Sequence, residues 1–248
     1  MVRWLSQGSG QRRRRPVLTL AVIVALTAML GVTACGGGSA SPAADSTGSN
    51  QSTASGETGA ADKLLVIEQG VDASTMDPAM HTETPTENIL RNIYEPLLDF
   101  DAKGQPYGVL ASEWSNPDPL TWEFKLRTGV TFSDGTPFTA ADVKFTIERT
   151  MDPNQKSPRV ADFSAVDHVD VIDEHTVRIV TKAPFGPMLA KLPGTQIVSK
   201  AYAERVGDAE LAQQPLGTGP YVLDKWVRDS YVRLKANPNY WGEKPTIQ

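Results

Sequence analysis

The chain has 248 residues, with 24 Lys and Arg against 29 Asp and Glu, one Cys, three His and 40% hydrophobic residues, which excludes a disordered polyelectrolyte and a disulfide scaffold. Of the 24 basic residues five lie in residues 1–34 (Arg3, Arg12, Arg13, Arg14, Arg15), where there is no acid, so the remainder carries 19 basic against 29 acidic residues. An acidic body without a basic footprint to displace phosphate counterions excludes a nucleic-acid binder.

Arg12 to Arg15 precede an uncharged apolar stretch, Pro16 to Gly31, that is too short to span a bilayer comfortably and reads as a secretory signal over residues 1–34. Val32-Thr33-Ala34-Cys35 places small residues before the single cysteine, which resembles a bacterial lipobox and implies cleavage before Cys35 and a lipid on its sulfur. Arg14-Arg15 resembles a twin-arginine export signal, but four arginines in a row read better as an ordinary basic leader. From Gly36 to Ala60, 20 of 25 residues are Gly, Ser, Ala or Thr, so residues 35–62 form a flexible tether with a root-mean-square span of about 25–30 Å.

The folded part begins at Lys63–Gln69, an apolar run expected to be a buried strand. Thr84-Pro85-Thr86-Glu87 supplies a cap, a first-turn proline and a third-position glutamate, so a helix is expected from Pro85 to about Glu95, where Pro96 stops it. Leu97 to Phe100 then leads into an extended segment. Trp122, Phe124 and Leu126 alternate with Glu123, Lys125 and Arg127, the signature of a strand with one wet face. Asp134-Gly135 predicts a hairpin between residues 130–132 and 136–138. Thr139 and Asp142 cap a helix with Val143, Ile147 and Met151 on one face, ended by Asp152-Pro153. A second hairpin is expected at residues 169–171 and 177–179, a helix at residues 200–206, and paired strands at 221–226 and 231–235 turned by residues 228–230. Alternating β and α elements are absent, so the class is mixed α and β rather than a barrel or a simple dinucleotide fold.

Catalytic constellations are missing. His81, His168 and His175 lack H-E-x-x-H spacing, one cysteine forbids C-x-x-C, and neither a G-x-S-x-G elbow nor a phosphate loop occurs. Gly217-Thr218-Gly219 starts like a dinucleotide fingerprint, but Val222 stands where a third glycine belongs. These glycines read as positions of positive φ or close backbone approach. No metal site and no cofactor are expected.

Eight segments in order resemble the bacterial extracellular solute-binding proteins of family 5, receptors of dipeptide, oligopeptide and nickel ABC importers. They are Met76-Asp-Pro78, Ile93-Tyr-Glu-Pro-Leu97, Leu110-Ala-Ser-Glu-Trp114, residues 120–127, Gly129 to Gly135, Phe138 to Phe145, Leu216 to Tyr221, and Asn237-Pro-Asn-Tyr-Trp241. The resemblance covers residues 63–248 and implies a two-lobed α/β fold like the type II, cluster C periplasmic binding proteins. This chain would hold most of the first lobe, with residues of about 94–193 as an inserted subdomain and the second lobe absent. It implies that the loop before the first helix faces the ligand cleft, making His81, Thr82, Glu83 and Thr84 the ligand candidates and Tyr94 a lesser one. Read from the residues alone, Thr84 can simply cap and His81 and Glu83 can be exposed loop residues. Gly217 and Gly219 have a hinge as their second reading. The implied function is capture of a peptide or similar small solute outside the membrane and delivery to an ABC permease, from a lipid anchor at Cys35 on the outer face of the cytoplasmic membrane. The competing readings are a secreted lipoprotein hydrolase, a truncated fragment unable to bind, and a sensory adaptor. The implied length is roughly twice this one, beyond what one core supports, so exposed sheet edges are expected.

Overall fold

The computed structural model describes residues 2–6 and 64–247. Cys35, the expected cleavage point and the tether fall outside the described residues, whereas residues 2–6 of the expected signal are described and form a strand. Two sheets, each with its own hydrophobic core, organise the chain. The first has the strand order β2-β1-β10-β9, from β1 (Val2–Ser6), β2 (Leu65–Gln69), β9 (Tyr221–Val227) and β10 (Tyr231–Ala236). In it β1 runs parallel to β2 and antiparallel to β10. The second is an antiparallel sheet of order β5-β6-β8-β7, made by β5 (Ala111–Asp118), β6 (Thr121–Leu126), β7 (Val166–Asp173) and β8 (Thr176–Thr181). A small hairpin of β3 (Leu98–Phe100) and β4 (Pro106–Gly108) completes the strands.

The second sheet folds as its residue pattern dictates. Phe124 and Leu126 of β6 are buried while Lys125 between them is exposed, and Val169, Val177 and Ile179 lie on the same covered side. Against it packs α2 (Ala140–Met151), which buries Val143 and Ile147. The expected capping box is formed: Asp142 accepts from the backbone N–H of Thr139 at 2.9 Å, and the Thr139 side chain caps in return. Burying each of these large apolar groups contributes about 1.5–3 kcal/mol.

The first sheet packs on α1 (Thr84–Leu90) and on α4 (Lys200–Val206) with α5 (Asp208–Leu211), around Met76, Ile89, Leu90, Ile93, Tyr94, Val232 and Leu234. A short α3 (Met188–Lys191) supplies Met188 to the other core. The β9–β10 turn places Asp229 at φ 57°, a conformation that aspartate tolerates better than most residues.

Several expectations are corrected. The helix begins at Thr84 with Glu83 in the cap position, and it ends at Leu90, well before Glu95. After Leu90 the N–H groups of Asn92 and Ile93 turn back to the carbonyls of Ile89 and Leu90 at 3.1 and 2.9 Å, and the carbonyls of Asn92 and Ile93 accept from the N–H groups of Tyr221 and Gly219 at 3.0 and 2.8 Å. The hairpin around Asp134-Gly135, by contrast, forms where expected: Thr131 bridges Pro137, and the N–H groups of Phe132 and Phe138 donate to the carbonyls of Thr136 and Val130 at 2.8 and 3.0 Å. β2 is not buried: Leu65 and Val66 are 44% and 48% exposed, since it stands at the edge of its sheet and the described residues leave it uncovered. β1 was not expected at all, and β5, with polar residues through most of its length, carries no alternating signal.

Gly217 and Gly219 occupy a close approach at ordinary φ. A Cβ on Gly217 would sit 2.1 Å from the Ile93 carbonyl oxygen, and one on Gly219 2.7 Å from that of Asn92. Nearby, Glu95 is buried and accepts from the Tyr240 hydroxyl and the Trp241 indole N–H, both at 2.8 Å, so those two rings serve packing.

The deepest ion pair joins the two halves. Arg149 of α2 donates to both oxygens of Asp77 at 3.1 and 2.6 Å and to Asp208 at 2.6 Å. Arg149 and Asp77 are both buried. Removing one member of a buried pair leaves its partner uncompensated, so Arg149→Met is expected to cost about 3–5 kcal/mol, whereas loss of the exposed partner in Asp208→Ala costs under about 1 kcal/mol. Urea unfolding of the two variants checks this order, and equal losses would contradict it.

Candidate functional site

The loop between β2 and α1 is built before any ligand arrives. Asp77 caps the 3₁₀ turn Pro78–Met80 by accepting from the Ala79 N–H, while the same carboxylate is clamped by Arg149. Ser157 donates its hydroxyl to the Ala79 carbonyl at 2.5 Å. Turn and clamp together fix the path into residues 81–84.

The four ligand candidates meet different fates there. His81 is fully covered, its side chain 1% exposed, and stands 3.4 Å through Nε2 from Glu87 Oε2. Neither ring nitrogen has a hydrogen-bond partner among the described residues. Burial is the main cause that lowers the His81 pKa, helped by the nearby Arg159 charge. Thr82 and Thr84 are exposed. Glu83 is a clasp: its carboxylate accepts from the Ser74 hydroxyl, from the Thr82 N–H at 3.0 Å and from the Thr86 hydroxyl at 2.8 Å. Burial alone would raise its pKa; these hydrogen bonds prevail and bring it down to about 2. Tyr94 is buried and spends its hydroxyl on the Met76 carbonyl at 3.3 Å.

Three further residues belong to this corner and have no local signal in the sequence. Glu87, on α1, accepts from Gln196 at 3.0 Å and from Arg91 at 3.1 Å through Oε1, while Oε2 has no hydrogen bond. Burial raises its pKa against the pull of Arg159 and Arg91. Gln196 is buried with its Oε1 unpaired. Arg159 lies beside a pocket that Pro78, Ala79, Phe163, Gly194 and Gln196 also line. The arrangement offers hydrogen-bond donors and acceptors in a largely dry corner, and it holds no nucleophile–base pair. Among the described residues no group of three or more His, Cys, Asp or Glu could hold a metal ion.

His168 and His175 lie elsewhere, at the β7–β8 hairpin. His168 sits between Asp167 and Asp170 at 2.8 and 3.3 Å, and the hydrogen bond to Asp167 is the main cause that raises its pKa. This hairpin is not brought near residues 81–84 by any contact in the described structure.

The α/β arrangement is that of part of the first lobe of a periplasmic binding protein. The profile of the bacterial extracellular solute-binding proteins, family 5 Middle, matches residues 105–248, and the chain belongs to that family. The glutathione-binding protein GsiB of Escherichia coli O1:K1 / APEC is 34% identical over 182 residues, which cover 72% of this chain and 35% of that protein. NikZ from Campylobacter jejuni, solved with Ni(L-His), superposes with a TM-score of 0.64 at 28% identity, covering 70% of this chain and 35% of its own. DppA from Helicobacter pylori, solved with the peptide STSA, gives 0.63 at 32% identity, over 71% and 39%. The chain thus spans about a third of the length of the relatives it matches, and these relatives are solute-binding proteins.

A buried neutral histidine makes stability depend on pH with a definite sign. The unfolded chain takes up a proton near 6.5, which folded His81 resists because its pKa is lowered. Stability from this group is therefore present above that value and lost as pH falls through it. The stability gap between the wild type and His81→Gln is expected to narrow from pH 7.5 to pH 5, as read from urea midpoints at each pH. A gap constant with pH would mean that His81 is not held neutral.

Proposed function

We propose that the intact protein is the substrate-binding component of an ABC importer, exported and held by a lipid on Cys35 at the outer face of the cytoplasmic membrane. It captures a peptide or a similar small solute and delivers it to the permease subunits. The observation that carries this reading is the polar corner itself. Within a fold of this family, residues 81–84 are anchored through Asp77, Ser157 and Glu83, while among the described residues His81 and Glu87 meet only each other, at 3.4 Å through Nε2 and Oε2, and Gln196 Oε1 has no hydrogen bond. Such atoms are costly unless something pairs with them, and a bound solute would do so.

In this reading Thr82 and the start of α1 contribute side-chain and backbone hydrogen bonds, Glu83 holds the loop in shape, and Gly217 and Gly219 sit where lobes would hinge. Binding proceeds by closure of two lobes around the solute, and no bond is made or broken. GsiB is a glutathione-binding protein and DppA was solved with a tetrapeptide, so glutathione and the peptide STSA are the first probes.

A ligand that binds only the folded state adds about 2.7 kcal/mol at a hundredfold excess over Kd. The midpoint of thermal unfolding is therefore expected to rise with glutathione or STSA. Thr82→Ala is expected to weaken binding about tenfold, equivalent to about 1.4 kcal/mol, with the midpoint of the free protein unchanged. Glu83→Ala is expected to lower that midpoint as well. A Thr82 variant with unchanged calorimetric affinity would remove the loop from the site.

A further inference from the structure

The turn between β9 and β10 grips the chain that leads from β2 into the ligand loop. Asp72 accepts from the Trp226 indole N–H at 3.1 Å and from the Asp229 backbone N–H at 2.9 Å, across 154 and 157 residues of chain. Asp229 presents that N–H from the left-handed conformation, at φ 57°. Beside it Arg228 donates through Nη1 to the carbonyls of Ala73 and Ser74 at 3.2 and 3.1 Å. The Arg228 guanidinium lies 3.7 Å from the centre of the Trp226 ring, so the indole is a platform that holds the cation in reach of those two carbonyls. Arg228 and Asp229 are exposed and belong to neither core; they hold the chain from outside.

What they hold is the root of the Glu83 clasp. Ser74, whose carbonyl Arg228 engages, donates its hydroxyl to Glu83 and its N–H to Thr86 Oγ1, the latter at 3.0 Å. Glu83 in turn accepts from the Thr82 N–H and the Thr86 hydroxyl. A continuous line of hydrogen bonds thus runs from the Arg228 guanidinium through Ser74 and Glu83 to the backbone of Thr82. A shift of Ser74 is passed along it, because hydrogen bonds weaken steeply once distance and angle leave their optimum. Among the described residues, the hydrogen bonds of Arg228 go to Ala73 and Ser74 and none goes to residues 81–84.

We propose that Arg228, stacked on Trp226, is a positioning residue of the solute site: it sets Ser74, and thereby the Glu83 clasp and the Thr82 backbone. The inference rests on the solute-receptor reading above. A binding loop gains affinity when it already has its bound shape, since ordering it during association costs free energy. A hook on backbone carbonyls fixes the path of the loop from outside the site and leaves the exposed Thr82 and Thr84 side chains free for the solute. Lysine at this position would keep the charge and the donors but not the flat stack on the indole.

The test combines calorimetric titration of the full chain with glutathione and STSA and amide hydrogen exchange of residues 72–84 in the free protein. Arg228→Ala is expected to weaken whichever probe the wild type binds by about tenfold. It is also expected to speed exchange of the Thr82 amide by about tenfold, with exchange in α2 and the urea midpoint unchanged. Arg228→Lys is expected to fall between wild type and Arg228→Ala. In a Glu83→Ala background Arg228→Ala is expected to add no further loss of affinity, because the line is already cut. Arg205→Ala removes a similar cation–ring contact, with Tyr202 on α4 at 5.3 Å, and is expected to change neither readout. Unchanged affinity or unchanged Thr82 exchange in Arg228→Ala, or losses that simply add to those of Glu83→Ala, would overturn this inference and leave the receptor reading intact. Binding of neither probe by the wild type would overturn both.

Discussion

The buried contact of Arg149 with Asp77 is the constraint on which the rest of the site depends. Asp77 is at once the cap of the turn at Pro78 and the counter-ion of an arginine in the middle of α2, so one carboxylate links the loop of the first sheet to the helix that covers the second. Taking both charges out of water is costly, and several hydrogen bonds in good geometry are needed to offset it. Here the two bonds to Asp77 and the third to Asp208 supply them. The second-sheet core and the loop at residues 77–84 therefore hold position together.

That anchoring explains how polar groups come to be stranded a few residues later. With the turn fixed by Arg149 and Ser157, His81 is carried into the interior toward Glu87 and Gln196, where water does not reach its ring. Glu83, one turn away, has the opposite environment: three donors converge on it and keep it charged. The corner thus contains a satisfied carboxylate, a neutral histidine, a half-satisfied carboxylate and a guanidinium whose ion pair is with Asp162 at 3.4 Å. Proteins tolerate such imbalance where binding restores it, which is the physical basis for reading this corner as a receptor surface.

Elements whose determinants lie within a few residues were legible beforehand. Thr139 and Asp142 bond across one turn, the alternation in β6 is a property of six consecutive residues, and the helix at Lys200–Val206 and the turn at Asp229 carry their own signals. The elements that were misjudged took their form from distant partners. After Leu90 the chain tightens into turns, and the carbonyls of Asn92 and Ile93 accept from residues 221 and 219. The apolar run of β2 has the composition of a buried strand, and whether it is covered depends on chain that lies next to it in space.

The candidate site divides along the same line. The segment His81 to Thr84 was found by resemblance, and its residue types alone left a capped helix with exposed polar neighbours equally open. That His81 is buried, that Glu83 is a clasp, and that Glu87, Arg159 and Gln196 join them follows from contacts that span 72 residues in the Arg149–Asp77 pair and 109 in the Gln196–Glu87 pair. The sequence by itself determined the local vocabulary, namely caps, alternating strands, turns and the family-specific segments, because each is set by bonds or periods within about one helical turn. Only the tertiary structure decided which charges are satisfied and which are left waiting, because burial and pairing are properties of residues brought together from far apart in the chain.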